Sequence, residues 1–240
     1  MTEKNYVMTI DVEDFSYETN SYDKNIIERV HNEALPKILD IFLTNEIRAT
    51  FFFTGYFAKH SPESLRMVIN EGHEVGCHSY SHLQKNSLDN LDIKQQIRQI
   101  AKSKLIIESV VGKIQSFRAP ALRINKFTHE ALIHLGFKYD SSTSPKRFDG
   151  PFSHGSLNKM KWLLQPYGIR KIYSKHNTKK YITEIPITSF FLPYISTINR
   201  ISPNLFDIIR EISFSRISSY QPILYLMHPD ECLDYKSMIR

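Results

Sequence analysis

Seven short apolar runs, most of them separated by stretches of helical periodicity, constrain this chain more than any other feature of its sequence. The runs fall at about 6–10, 47–54, 73–77, 116–122, 137–142, 181–188 and 223–227. The best of them, Ala49-Thr50-Phe51-Phe52-Phe53, is rich in residues that suit a pleated, buried surface. Between them lie helical patterns. Residues 25–45 carry Ile26, Ile27, Val30, Ala34, Leu35, Ile38, Leu39, Ile41, Phe42 and Leu43, with Pro36 near the middle predicting a kink or break. Residues 61–71 open on Ser61-Pro62 and stop at Gly72. Residues 88–111 are expected to bury Ile93, Ile97, Ile100, Ala101, Leu105, Ile106 and Val110. Shorter helices are expected at 128–135 and 203–217. Strands alternating with helices specify an α/β protein with a parallel sheet and right-handed crossovers. At 41% hydrophobic, 240 residues suffice for one domain over 1–240. The exception to the alternation is an irregular excursion at about 144–177, with Pro145, Pro151, Pro166, Gly150, Gly155 and Gly168, and a hairpin expected at 168–173.

Functional side chains of such folds gather at the C-terminal ends of the strands. Here Asp11, His78, Arg118, Asp140 and His228 all fall at expected strand ends. One core-packing accident is easily imagined; five are not. The densest stretch is Gly72-His73-Glu74-Val75-Gly76-Cys77-His78-Ser79-Tyr80-Ser81-His82. His78 and His82 are four apart, a spacing that lets two imidazoles meet one metal ion where the segment turns helically. With 10 histidines in the chain such a pair also arises by chance, so the pair needs a carboxylate partner. The first run supplies candidates, ending in Asp11-Val12-Glu13-Asp14, an unusual way to finish a buried strand unless the acids are paired, cap the next segment or bind metal. His73, at the far end of its strand, reads as structural.

The net charge of +6 is scattered rather than clustered, so nucleic acid is not expected as a partner. Cys77 and Cys232 are too few for a disulfide framework. No apolar run is long enough to span a bilayer and the first residues do not form a secretory signal, so a cytoplasmic location is expected. Nothing in the sequence specifies an oligomeric state.

On Thr9-Ile10-Asp11-Val12-Glu13-Asp14, on Ile47 through Gly55, on Gly72 through His82, on Arg118-Ala119-Pro120, on Tyr139-Asp140 and on Leu226-Met227-His228, the chain resembles the polysaccharide deacetylases of the NodB-homology type, carbohydrate esterase family four. It looks most like a branch associated with exopolysaccharide and surface-glycan assembly. The resemblance implies an irregular (β/α)7 barrel and a metal-dependent hydrolase that removes N-acetyl, and conceivably O-acetyl, groups from an amino sugar in a polysaccharide or glycan precursor.

By that resemblance Asp11 is the general base, and His78 and His82 hold a divalent metal, zinc first, with cobalt, nickel or manganese as alternatives. The third ligand is Glu13 or Asp14, because the family's second acid is displaced here. Arg118 pairs with the base, Asp140 orients the catalytic histidine, and His228 is the general acid that protonates the leaving amine. Pro120 and Leu226 fall in the family's substrate motifs. The family's Tyr-Gly after the proline is Ala121-Leu122 here, so an oxyanion contact from the Ala121 N–H depends on the loop keeping its shape without glycine. Two other readings fit the same residues: a metal-dependent amidohydrolase on a non-sugar linear or cyclic amide, and a non-catalytic glycan-binding protein that has kept the fold.

Overall fold

The computed structural model describes residues 5–14, 20–144, 147–148, 162–163, 168–189, 194–216 and 221–233. All seven expected strands form: β1 (Tyr6–Val12), β2 (Ala49–Phe53), β3 (Glu74–Cys77), β4 (Ser116–Phe117), β5 (Tyr139–Asp140), β9 (Tyr181–Glu184) and β10 (Ile223–Met227). They lie in one parallel sheet in the order β10-β1-β2-β3-β4-β5-β9. Three more strands come from the excursion and its exit. β6 (Arg147–Phe148) and β7 (Trp162–Leu163) make a small antiparallel pair. β8 (Arg170–Tyr173) adds antiparallel to the outer edge of β9. The expected hairpin at 168–173 is therefore only its first strand. Arg170 pairs with Glu184 and Tyr173 with Tyr181, so the chain turns at 174–180.

The sheet curls so that its first and last strands meet, Tyr6 opposite Ile223 and Ile10 opposite Met227. The seam on the other side of β10 is closed by irregular chain. Leu224 donates its N–H to the Thr188 hydroxyl at 2.9 Å, and Ile195 bridges Leu226. Together these features make the irregular seven-stranded barrel.

Helices pack outside it: α1 (Lys24–Arg29), α2 (Leu35–Thr44), α3 (Gly55–His60), α4 (Pro62–Asn70), α5 (Ile93–Val111), α6 (Thr128–His134), α7 (Ser196–Ile201) and α8 (Pro203–Arg216). The break expected at Pro36 is a π-helical turn, Val30–Ala34, after which Pro36 sits harmlessly in the first turn of α2. α5 begins later than its periodicity suggested, because Asp92 and Gln95 form a reciprocal cap ahead of Ile93. Its buried stripe is Gln96, Ile100, Ser103 and Ile107, while Leu105 is exposed. Ser103 is small for a reason: a Cβ on Gly55 would lie 2.7 Å from its hydroxyl oxygen, so α3 and α5 touch through the smallest side chains available. Among the described residues no helix is long and apolar enough to cross a membrane.

Strand alternation then sorts the chemistry. Ile10, Val12, Phe51, Phe53, Val75, Cys77 and Phe117 point outward into the core beneath the helices. Thr9 and Asp11 point inward, with Phe52 opposite Asp11 in the register. His73, at the bottom of β3, packs on Phe42 and Phe51 and accepts the Ala49 N–H at 3.3 Å. It is structural, as the sequence suggested.

Candidate active site

The mouth of the barrel is built around Arg118, one residue beyond β4 and completely buried. An arginine can be buried only if its donors are largely spent, and four of its five N–H groups are. Nη1 donates to Asp11 Oδ1 and to the Thr9 hydroxyl, both at 2.9 Å. Nε donates to the Ser141 carbonyl at 3.0 Å and Nη2 to the Ser141 hydroxyl at 2.8 Å. The guanidinium lies over the Phe52 ring, 4.4 Å from its centroid. Burial alone would push the Asp11 carboxyl up. The charges of Arg118, His78 and His228 outweigh that and hold it below its ordinary value. Asp11 is thus a buried, ionised, fixed carboxylate.

His78 follows β3 directly. Its Nδ1 lies 2.8 Å from the Arg118 carbonyl, which can only accept, so in the neutral ring Nδ1 carries the proton and Nε2 presents a lone pair. His82 is brought round not by a helix, as its spacing suggested, but by an irregular loop. Ser79 adopts φ 54° at the turn. The loop is clamped by Gly55 N–H to Ser79 O at 2.9 Å, Tyr56 N–H to Tyr80 O at 2.8 Å and the Ser103 hydroxyl to Ser79 O at 2.6 Å. The two Nε2 atoms end 2.8 Å apart.

Of the two acids left open as third ligand, the chain separates one from the other. Glu13 turns toward the histidines: its Oε2 lies 3.6 Å from His78 Nε2 and in close contact with His82 Nε2. Asp14 turns to the loop entering α1, where its Oδ2 accepts the Asp23 N–H at 3.1 Å. Glu13 Oε2 is buried with no hydrogen bond to satisfy it, and burial holds its pKa above the ordinary range. An orphaned carboxylate oxygen facing two imidazole nitrogens, one of them tautomerically fixed as a lone pair, is the donor set of a catalytic zinc site. The residues present fit such an ion.

His228 lies just beyond β10, with Nε2 3.9 Å from Glu13 Oε1. Asp140 does not orient it, and that expectation is corrected. Asp140 pairs with Phe117 in the register and so faces outward, under the helices. It is Ser141, the next residue, that faces the barrel and grips Arg118. The neighbour of His228 Nδ1 is Glu231 Oε1, at 3.9 Å, in the turn Pro229–Cys232. Burial pulls His228 down, but Glu231, Glu13, Asp11 and Asp230 outweigh it and push the ring up to about 10. Neither Glu231 nor Ser141 was singled out in the sequence. No local sequence signal marks either, because β5 is only two residues long and Glu231 lies in a short turn beyond β10.

After buried Pro120, the loop passes through two consecutive left-handed residues, Ala121 at φ 50° and Leu122 at φ 54°. Two non-glycine residues bear the strain of this turn. Leu226 is inside the barrel, packed with Ile187 and Leu224.

Comparison with known proteins agrees with this fold. A family model described as polysaccharide deacetylase matches residues 6–139. A peptidoglycan deacetylase of Helicobacter pylori is 34% identical over 110 residues, 45% of this chain and 36% of that protein. A chitin deacetylase of Colletotrichum lindemuthianum is 33% identical over 107 residues, 42% of each chain. The aligned region thus spans less than half of either relative. In overall fold the chain is similar to the crystal structure of a putative polysaccharide deacetylase from Mycobacterium smegmatis, with TM-score 0.61 and 18% identity over 95% of this chain and 79% of that one. By its family match and its barrel, the chain belongs to the polysaccharide deacetylase family.

Proposed function

We propose that the chain is a metal-dependent hydrolase that removes N-acetyl groups from amino sugars of a polysaccharide or glycan precursor. The observation that carries this is the convergence at one barrel mouth of the Glu13, His78 and His82 donor set with a carboxylate fixed by Arg118 and with His228 beyond it. The relatives named as peptidoglycan and chitin deacetylases supply the substrate class.

Glu13, His78 and His82 would hold the ion, zinc by its donor set, with cobalt, nickel or manganese able to substitute. When bound, such an ion polarises the acetyl carbonyl and acidifies a water. The rest falls to the chain's own groups. Asp11 Oδ2, 3.6 Å from His78 Nε2, takes the proton of the attacking water, and its Oδ1 stays committed to Arg118. Oxygen adds to the carbonyl carbon, and the tetrahedral oxyanion forms as that bond closes. Leu226 and Pro120 would line the acetyl side. As the C–N bond breaks, His228, kept protonated by Glu231 and the surrounding acids, gives its proton to the nitrogen. The products are acetate and a free amine.

The test is acetate release by the zinc-loaded chain from N-acetylated amino-sugar oligomers, set against simple non-sugar amides. Release from the sugars alone supports the reading. Release from the non-sugar amides alone would make the chain a general amidohydrolase. Release from neither, in metal-loaded folded protein, would make it a binding protein.

A further inference from the structure

Outside the barrel wall, a second cluster of metal-type side chains is assembled from three elements: His129 on α6, Asp140 at the end of β5 and Glu184 at the end of β9. Both carboxylates are completely buried, while the His129 side chain is 20% exposed and so gives a way in from solvent. Each carboxylate commits one oxygen to the protein. Asp140 Oδ1 accepts the Ser142 hydroxyl, and Glu184 Oε1 accepts the Thr143 N–H at 3.1 Å and its hydroxyl at 2.7 Å. The remaining oxygens, Asp140 Oδ2 and Glu184 Oε2, both face His129 Nε2, at 3.1 and 3.2 Å.

That arrangement leaves one buried oxygen without a hydrogen bond. His129 Nε2 carries at most one hydrogen for two facing oxygens, and its hydrogen-bond contact is with Glu184 Oε2. Asp140 Oδ2 is left buried, pointed at the ring and without a hydrogen bond. Among the described residues no lysine or arginine makes an ion pair with either carboxylate. With both carboxylates ionised, one imidazolium leaves a net negative charge out of water, which is costly and which a second proton or a cation must remove. A divalent cation in place of the Nε2 proton would neutralise both carboxylates and satisfy all three atoms. Ligands about 2.0–2.1 Å from a tetrahedral ion stand roughly 3.3 Å apart, close to the separations from Nε2 seen here. The hydrogen bonds from Ser142 and Thr143 are of the kind that aim carboxylate ligands.

We propose that His129 Nε2, Asp140 Oδ2 and Glu184 Oε2 form a structural site for a divalent transition-metal ion, separate from the barrel-mouth site. One nitrogen and two carboxylate oxygens suit zinc or manganese. The ion would tie α6 to the ends of β5 and β9, and through Ser141, next to Asp140, would steady the clamp on Arg118.

Zinc content of the full chain, stripped with chelator and dialysed against micromolar zinc, tests this. The wild type is expected to hold two equivalents, Glu184→Gln one, and the His78→Ala/His82→Ala variant one. Cobalt added to that double variant should give a visible absorption band that His129→Asn removes. One equivalent in the wild type and none in the double variant would overturn the site. So would a cobalt band that survives His129→Asn. If Glu184→Gln fails to fold, the cobalt titration of the double variant decides alone. Failure of the barrel-mouth reading is distinguishable, since it would leave the double variant with as much zinc as the wild type.

Discussion

Replacing Arg118 with methionine isolates what fixes the base. The side chain is wholly buried and donates to Asp11, to Thr9 and twice to Ser141. Methionine keeps the volume over Phe52 but leaves the Asp11 carboxylate buried without its cation. Removing one partner of a buried ion pair costs about 3–5 kcal/mol. Thr9 loses little, because its hydroxyl still donates to the Tyr225 carbonyl at 2.7 Å. A domain of this kind has about 5–15 kcal/mol to lose, so the variant should fold but melt readily. Urea unfolding of chelated protein at pH 7 measures the cost. Asp11→Asn/Arg118→Met should recover much of it, because the uncompensated charge is gone. Arg118→Lys should fold better, yet hold Asp11 down less well, and so move the acid limb of kcat/KM to higher pH. A cost under about 1 kcal/mol for Arg118→Met, with no coupling to Asp11, would refute the view of Asp11 as a buried carboxylate held ionised chiefly by this cation.

Two further outcomes follow from the geometry. Glu13→Gln should lose barrel-mouth zinc affinity, while Asp14→Asn should keep it and instead destabilise the entry to α1; equal zinc affinity in both, by calorimetric titration, would remove Glu13 from the ligand set. In chelator, the His129 cluster should make stability fall as pH rises: burial lowers His129, but Asp140 and Glu184 lift it from 6.5 to about 9, and burial with the Asp140 charge lifts Glu184 from 4.5 to about 7. Both raised values favour the protonated folded state, so the Glu184 contribution fades as pH rises from about 4.5 through 7 and that of His129 from about 6.5 through 9. A wild-type curve parallel to that of His129→Gln across this range would contradict it.

The strands were legible because each is a run of apolar residues that no helix pattern explains, and the parallel sheet followed from their alternation with helices. His78, Arg118 and His228 were legible because polar residues at the ends of buried strands have little else to do, and His82 by its spacing from His78. What the sequence hid were directions. Asp140 sits at the correct strand end but faces the helices, since a two-residue strand gives too short an alternation to read its parity. The loop from His78 to His82 is held by Ser103 and Gly55, residues 48 positions apart, so its shape is a tertiary fact. The π turn before Pro36 likewise depends on packing rather than on local pattern. Ser141 and Glu231 are ordinary surface-type residues in sequence and acquire their roles only from Arg118 and His228.

Asp11 and His228 stand on adjacent strands, the first and last of the barrel, and on this reading they act at opposite ends of one reaction. Turnover of an N-acetylated amino sugar and of an aryl acetate ester, by zinc-loaded wild type, Asp11→Asn and His228→Ala, tests that division most directly. An aryl oxide leaves without a proton and an amine does not. His228→Ala should therefore lose far more activity on the amide than on the ester, whereas Asp11→Asn should lose both alike, each variant keeping its zinc. Equal losses on the two substrates for His228→Ala, or no acetate from either substrate with the zinc-loaded wild type, would contradict it.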